Sequence, residues 1–593
     1  MRIINAGLIA GTLIPLCLSW PIQAMGKFTV DDYQRALWMT TRFYGAQKCG
    51  FGPNWLLMEH PTPEYRTSFT HDADATSNDY DLEGGWFDCG DHVLFGQTFF
   101  FSAYLLAKAY SMFPCGYYDL YHGQSYIDYL ESKSWDMDDS RSDGIPDLLE
   151  ELKYATDWMI KATPDGNTFY YQKGEGAKDH KCWVTAGKMS SMSADSGGEP
   201  RKVFKNPNDG VMASYAAATL AIMSQAYKRF EPEYAQHCLE HAKNAYNYAK
   251  PRKNNAAGAG DGGYYTAHSN PPVVAFIVAA SEMFKATGEN SYKSDAQADQ
   301  NQIEFHNWGF DYSNSHDLSP LALGTCLGDT AKLTQMKTMF IDQYTKNLNS
   351  EGLTTRGNNS WGALRYPANA AFLAACWSQA KKSSILDTFI FKQIDYILGA
   401  NNANQSFIVG FCSGCTKQPR HPHHRNVYLC DDNPNDSGMA QLEIPERNAI
   451  LGYMVGGTLN SSSYTDNITN YATTEGGLDY NAGLVGALGY IVNKLDPADT
   501  NNFFGIREQK QASRHGTSKT ITLKRKAGSL LFDAGNHQIK NLSVYDQSGK
   551  ILFSRNAAAT TVQWKPACAS GVVYVHVRLK NGADAVFSCV VSR

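Results

Sequence analysis

The chain has 593 residues, of which 43% are hydrophobic, 19% charged and 12% aromatic, with a formal net charge of −5. That apolar share can fill a large core, which excludes a disordered chain, a collagen-like repeat and a small disulfide scaffold. Mild acidity argues against a general nucleic-acid binder, which needs Lys and Arg to neutralise phosphates. The charge is uneven, however: residues 511–593 carry 12 Lys and Arg against 3 Asp and Glu, so a module boundary is expected ahead of them.

Residues 1–24 read as an export signal. Arg2 supplies the positive start, an interrupted apolar run covers 3–20, and Ala24 offers a small residue for cleavage. Export would place the remaining cysteines where disulfides can form. Cys49 with Cys89, and Cys568 with Cys589, are the expected bridges. Cys412, Cys415, His421, His423, His424 and Cys430 resemble a zinc ligand set, but disulfides or buried thiols are the preferred reading there, with zinc the alternative.

From residue 29 the dominant period is helical. Thr29 and Asp32 form a capping pair before an apolar stripe through Tyr33, Leu37, Thr40 and Tyr44. Further helices are predicted over 97–113, 147–162, 211–230, 233–250, 272–287, 366–380, 387–398 and 481–495. Long loops rich in Gly, Asn, Asp and aromatics separate them, as in a large all-α body of residues 25–495 with its loops gathered at one end. No Gly-rich phosphate loop follows a strand, so no nucleotide cofactor is indicated. Residues 496–518 read as a linker. Beyond them, alternating runs such as Val573, Val575, Val577 and Leu579, with Asn581-Gly582 as a turn, predict a small β-sandwich over 519–593.

Three kinds of motif carry chemistry. Gly84-Gly85-Trp86-Phe87-Asp88-Cys89-Gly90-Asp91-His92 sets two carboxylates three residues apart among glycines and aromatics. One ionised Asp there can activate a water that its neighbour helps to hold, with a calcium loop or a plain acidic turn as the alternative. Glu475, in the Gly-rich run 474–483, could keep its proton and act as an acid, whereas Asp479 could simply cap the following helix. The loops around Asp179-His180 and Trp183, Trp361 to Tyr366, and Arg420 to Arg425 combine aromatic planes with polar groups. Such a set suits the apolar faces and hydroxyl rims of sugar rings, although core packing explains any single Trp.

Together these motifs resemble family 9 of the glycoside hydrolases, the cellulases whose hallmark is Gly-Gly-Trp-Tyr-Asp-Ala-Gly-Asp-His. Gly144-Ile145-Pro146-Asp147, Asp179-His180, Trp361-Gly-Ala-Leu-Arg365-Tyr366, Pro422-His423-His424-Arg425 and Glu475 with Asp479-Tyr480-Asn481-Ala482-Gly483 follow in order, so the likeness spans about 28–495. It implies an (α/α)6 barrel and an inverting endo-β-1,4-glucanase, with an exo-acting glycosidase as the alternative and a non-catalytic glycan-binding protein behind both. It also implies Asp91 as general base, Asp88 as the residue positioning the water, and Glu475 as general acid. His180, Trp183, Tyr264, Tyr265, Trp308, Trp361, Arg365, His423, Arg425 and Tyr480 would line the sugar subsites. Where relatives often bind calcium this chain has His268-Ser-Asn-Pro-Pro272, so no calcium is expected, nor a zinc, and no cofactor is required. The tail resembles the secretion-sorting domains of exported bacterial enzymes, with a carbohydrate-binding or purely structural sandwich left open. The expected partners are a β-1,4-glucan and the secretion machinery, not nucleic acid. The expected state is a monomer, and the expected location is the surface, surroundings or periplasm of a bacterium.

Overall fold

The computed structural model describes residues 26–49, 81–119, 145–256 apart from a few positions between 185 and 191, 264–265, 271–425 apart from 307, 450–498, and separate stretches of 522–591. The leader of 1–24, the linker from 499 onward, Gly144, residues 268–270, Cys430, Cys568 and the Asn581-Gly582 turn lie outside them.

Among the described residues, twelve helices of seven residues or more follow one another, and they alternate between two layers. One layer holds α2 (Gly96–Met112), α4 (Val211–Ala226), α6 (Pro272–Thr287), α8 (Leu318–Cys326), α10 (Arg365–Lys381) and α12 (Leu478–Leu495). Each packs on the next in that order, and α12 closes the ring on α2. Their sequences are apolar on nearly every side, so they bury almost their whole length. The other layer is α1 (Val30–Ala46), α3 (Asp147–Ala162), α5 (Pro232–Ala249), α7 (Asn290–Ala298), α9 (Thr330–Met336) and α11 (Asp387–Leu398). The longer outer helices bury one stripe and keep a polar face, which is the amphipathic pattern of a helix packed from one side. The alternation is that of an (α/α)6 barrel.

Every inner helix therefore runs in the same sense, and every loop that enters one opens at the same end of the barrel. Among the described residues those entering segments hold 84–95, 176–184, 192–209, 264–265, 304–306, 308–317, 353–364 and 450–477. The opposite end is sealed by a buried ion pair: Lys108 Nζ donates to Glu282 Oε1 at 2.6 Å and to Thr325 Oγ1 at 2.8 Å, with both charged side chains at most 1% exposed.

Helix bounds follow the sequence reading closely because caps and prolines mark them. Thr29 and Asp32 form the capping box of α1, and Pro271 and Pro272 open α6. Two expectations change. The helix expected over 211–230 ends at Ala226 and tightens into a 3-10 turn, Tyr227–Arg229. That expected from 481 starts at Leu478, so Asp479 and Tyr480 sit in its first turn instead of the loop.

In the tail, β1 (Thr522–Lys526), β2 (Ser529–Asp533) and β5 (Thr561–Trp564) form one antiparallel sheet. A second, in the order β4-β3-β6-β7, holds β3 (Ile539–Asp546), β4 (Ile551–Ala559), β6 (Gly571–Leu579) and β7 (Asp584–Val591). Phe532, Val562 and Trp564 of the first pack with Leu542, Val544, Val575, Val577 and Leu579 of the second, giving a two-layer β-sandwich with its own core. No described helix is long and apolar enough to cross a membrane.

Candidate active site

Asp88 and Asp91 sit on a segment pinned from both sides. Phe87 N–H donates to Gln47 O at 2.6 Å and Cys49 N–H to Gly85 O at 2.8 Å, while Leu94 pairs with Lys173. Trp86, fully buried, packs its ring on Tyr44 at 4.8 Å. Gly90 allows the close approach of the 423–425 segment: a Cβ there would stand 2.3 Å from His423 O. Arg425 N–H then donates to Gly90 O at 3.2 Å, and His423 N–H to Thr474 O at 3.0 Å. Those contacts bring Glu475 to the acidic pair across nearly 400 residues of chain. Gly90 N–H faces Glu475 Oε1 at 3.4 Å, and Leu478 N–H, at the start of α12, donates to Asp88 O at 3.0 Å.

Asp88 and Asp91 are buried and Glu475 is half-buried beside them. Burial, then the charges of Asp91 and Asp88, push the Glu475 carboxyl well above the usual carboxylate range, the direction that favours its protonated form. Burial and the neighbouring Asp91 push Asp88 up to about 8, against the opposing hydrogen bonds from Thr98 Oγ1 and from Tyr265 OH, the latter at 2.5 Å. Asp91 is raised by burial and by the charge of Asp179, against contacts that favour its ionised form. His180 and Arg425 face it with positive charge, and Val93 N–H donates to its Oδ1 at 2.8 Å. Of the three it is the carboxyl best equipped to be ionised.

Around these acids the aromatic and cationic residues fall into two groups. Trp183 packs on His423 at 4.5 Å between ring centres, His423 meets Tyr471 at 5.7 Å, and Tyr471 meets Trp361 at 5.1 Å. Trp361 and Tyr471 are 42% and 48% exposed, unusual for such rings and right for a surface that receives a flat ligand. On the other side His180 lies 4.4 Å from Tyr264, and Tyr265 packs on Phe95 and Tyr312 at 4.8 and 5.2 Å. Arg365 Nη1 donates to Asp479 Oδ2 at 2.7 Å and its guanidinium lies over Tyr480 and Tyr366 at 5.0 and 5.2 Å. Trp308 is half-exposed beside Gly309, whose backbone lies against the Tyr366 ring.

The structure corrects one expectation, the Cys49–Cys89 bridge, and decides two readings that the sequence left open. Cys49 and Cys89 are not bridged to each other: the first packs with Phe87 and Ala186, and the second points its sulfur at Gly477. The zinc-like set is also spent otherwise. Cys412 and Cys415 form a disulfide, His421 faces Asp466, His423 donates to Ile468 O, and His424 donates to Gln47 Oε1. Asp479 does not cap α12, whose cap is Gly477; its charge holds Arg365. Among the described residues Asp88, Cys89 and Asp91 alone have ligand atoms close enough together to hold an ion, within 4.8 Å. Both Asp88 oxygens accept from Thr98 and Tyr265, and Asp91 Oδ1 accepts from Val93.

Sequence reasoning passed over Thr98, Arg201, Tyr453 and Tyr471. Tyr453 OH donates to His423 O at 3.1 Å and accepts from Gly476 N–H, so it locks the Glu475 loop to the His423 main chain. The spacing of Tyr471, one helical turn before Glu475, was the available signal.

The sequence model described as Glycosyl hydrolase family 9 matches residues 33–488. The chain belongs to this family. Endoglucanase A of Fibrobacter succinogenes is 35% identical over 422 residues, covering 68% of this chain and 89% of that protein. The endoglucanase of Dictyostelium discoideum is 30% identical, covering 78% and 61%. Among solved structures, the endoglucanase of the termite Nasutitermes takasagoensis superposes with a TM-score of 0.63 at 25% identity, covering 78% of this chain and 99% of that one. A C. cellulolyticum cellulase in complex with cellobiose gives 0.62 at 26%, covering 78% and 98%. The family 9 match covers the barrel and stops short of the β-sandwich tail.

Proposed function

We propose that this family 9 hydrolase is an inverting endo-β-1,4-glucanase in which Asp91 is the general base, Asp88 positions the water and Glu475 is the general acid. The observation that carries the reading is the gathering of the three carboxyls, with burial and its acidic neighbours favouring the proton on Glu475, and with His180 and Arg425 beside Asp91. In the reaction the Asp91 carboxylate takes a proton from a water as its oxygen attacks the anomeric carbon. The C1–O bond to the departing sugar breaks, and Glu475 passes its proton to that oxygen. His180, Trp183, Tyr264, Tyr265, Trp308, Trp361, Arg365, His423, Arg425 and Tyr480 would seat the glucan. The endoglucanase names of the relatives and the cellobiose bound to a structural neighbour support the substrate class.

Asp91→Asn and Glu475→Gln should each lower turnover on unactivated glucan by roughly 10²–10⁴-fold, the usual size of one acid–base contribution, with oligosaccharide affinity largely kept. Near-normal turnover in either variant would refute its assigned role. Loss of viscosity well ahead of reducing-end release would mark internal cleavage and separate it from exo action. Export through the 1–24 leader, a secretion-sorting role for 519–593 after a 496–518 linker, action as a monomer and a location outside the cytoplasm of a bacterium complete the proposal.

A further inference from the structure

Asp179 takes no direct part in that reaction, yet it lies fully buried behind the base. Its Oδ2 accepts from Arg425 Nη1 at 2.8 Å and from the main-chain N–H of His92 at 3.4 Å, and its Oδ1 faces Arg201 Nη2 at 3.5 Å. Arg201 Nη1 in turn donates to the carbonyl of His92. One buried carboxylate–guanidinium unit therefore grips both polar groups of the His92 main chain. That N–H belongs to the peptide unit joining Asp91 to His92, so holding it fixes the backbone from which the Asp91 side chain projects. The same carboxylate fixes Arg425, whose own N–H donates to Gly90 O at 3.2 Å, immediately before Asp91.

The fold makes room for this arrangement. Gly174, at φ +87°, lies under Arg201, and a Cβ there would stand 1.9 Å from Nη2, in the space of the guanidinium itself. Burial would drive an isolated carboxyl up, yet Arg425 and Arg201 hold Asp179 down to about 2, so it is ionised throughout the working range. Two guanidiniums around one carboxylate leave a net positive charge behind the three catalytic carboxyls.

We propose that Asp179 is the positioning residue of the general base: it orients the Asp91–His92 peptide and Arg425, and its charge balance with Arg425 and Arg201 sets the acidity of Asp91. This rests on Asp91 being the base. The groups facing Asp91 are Asp88 and Glu475 from the acid cluster, Asp179 and His180 from the 176–180 turn, Arg425 from the facing 423–425 segment, whose His423 and His424 lie beside Arg425 and His92, and Arg201 through Asp179. The signs follow. Asp179→Asn removes a negative charge and frees two positive ones, so Asp91 ionises more readily. Arg201→Gln does the opposite.

The test is the pH profile of kcat/KM on a soluble cello-oligosaccharide, with kcat and KM resolved and binding measured separately. Asp179→Asn should move the acid limb down by about one pH unit, the scale of one neighbouring charge. It should also lower kcat by roughly 10–100-fold through misplacement of the base, with KM changed far less. Arg201→Gln should move the same limb up. A residue that merely holds the fold would lower activity without moving the limb, and limbs unmoved in both variants overturn the proposal. If Asp179→Asn does not fold, the direction of the Arg201→Gln shift decides alone. Asp91→Asn is run beside them: turnover retained there overturns both the base assignment and this proposal, whereas turnover lost with unmoved limbs overturns only this one.

Discussion

Replacing Lys108 by Met tests whether the far end of the barrel is a sealed, dry plug. The wild-type ammonium donates to Glu282 Oε1 at 2.6 Å and to Thr325 at 2.8 Å, with both charged side chains essentially unexposed. Met fills similar space but leaves the Glu282 carboxylate without a counter-charge, a defect worth about 3–5 kcal/mol in a protein interior. A specific unfolding entropy of ~2.1 cal/mol/K per residue gives ~1 kcal/mol/K over a domain of about 450 residues. The expected loss is therefore ~3–5 °C in midpoint temperature, read by calorimetry. Lys108→Met with Glu282→Leu removes both charges and should recover most of that loss. Lys108 holds Glu282 below the usual glutamate range against the effect of burial. The stabilisation is accordingly present above the unfolded glutamate pKa of ~4.3 and lost as pH falls through the lower folded value. Turnover well below the midpoint should be unchanged, because the site lies at the other end of the inner helices. A single variant as stable as wild type, or a double variant as unstable as the single, would refute the reasoning.

Other outcomes follow from the site. Trp361→Ala and Tyr471→Ala should each weaken oligosaccharide binding about tenfold, on the scale of ~0.5–1.5 kcal/mol for one aromatic contact beyond its buried area, and leave thermal stability nearly unchanged because both rings are exposed; calorimetric titration checks this. Gly90→Ala sets a methyl 2.3 Å from His423 O, so it should part the acidic pair from the Glu475 loop and cut turnover more than any other alanine in that segment, as steady-state kinetics would show. Deleting 519–593 should leave the purified barrel active while reducing export or surface attachment, which fractionation of the producing cells would reveal.

Helices were legible because their punctuation is local. Thr29 and Asp32 announce α1, and Pro271 and Pro272 announce α6, each through groups within one turn of the helix start. The short α7, α8 and α9 carry too few turns for a period to show. Asp88, Asp91 and Glu475 were nameable from their motifs, but nothing local says that they meet. Their meeting depends on Gly90 admitting the 423–425 segment and on α12 closing the ring beside α2. Arg201 and Thr98 were invisible for the same reason: each is a single polar residue whose partner comes from another loop. The Cys49–Cys89 bridge failed because sequence proximity to one loop says nothing about where two Cβ atoms point. Asp479 could not be told from a cap because its partner, Arg365, lies 114 residues away.

The central claim is single displacement between Asp91 and Glu475, and the sugar first released reports it directly. Proton NMR of a cello-oligosaccharide digest, followed from the first seconds before mutarotation, should show the α-anomer at the newly formed reducing end, because one attack on a β-linkage inverts it. If the β-anomer came first, the linkage would have been displaced twice, one carboxylate would be a nucleophile, and Asp91 and Glu475 could not be the base and acid of a single displacement.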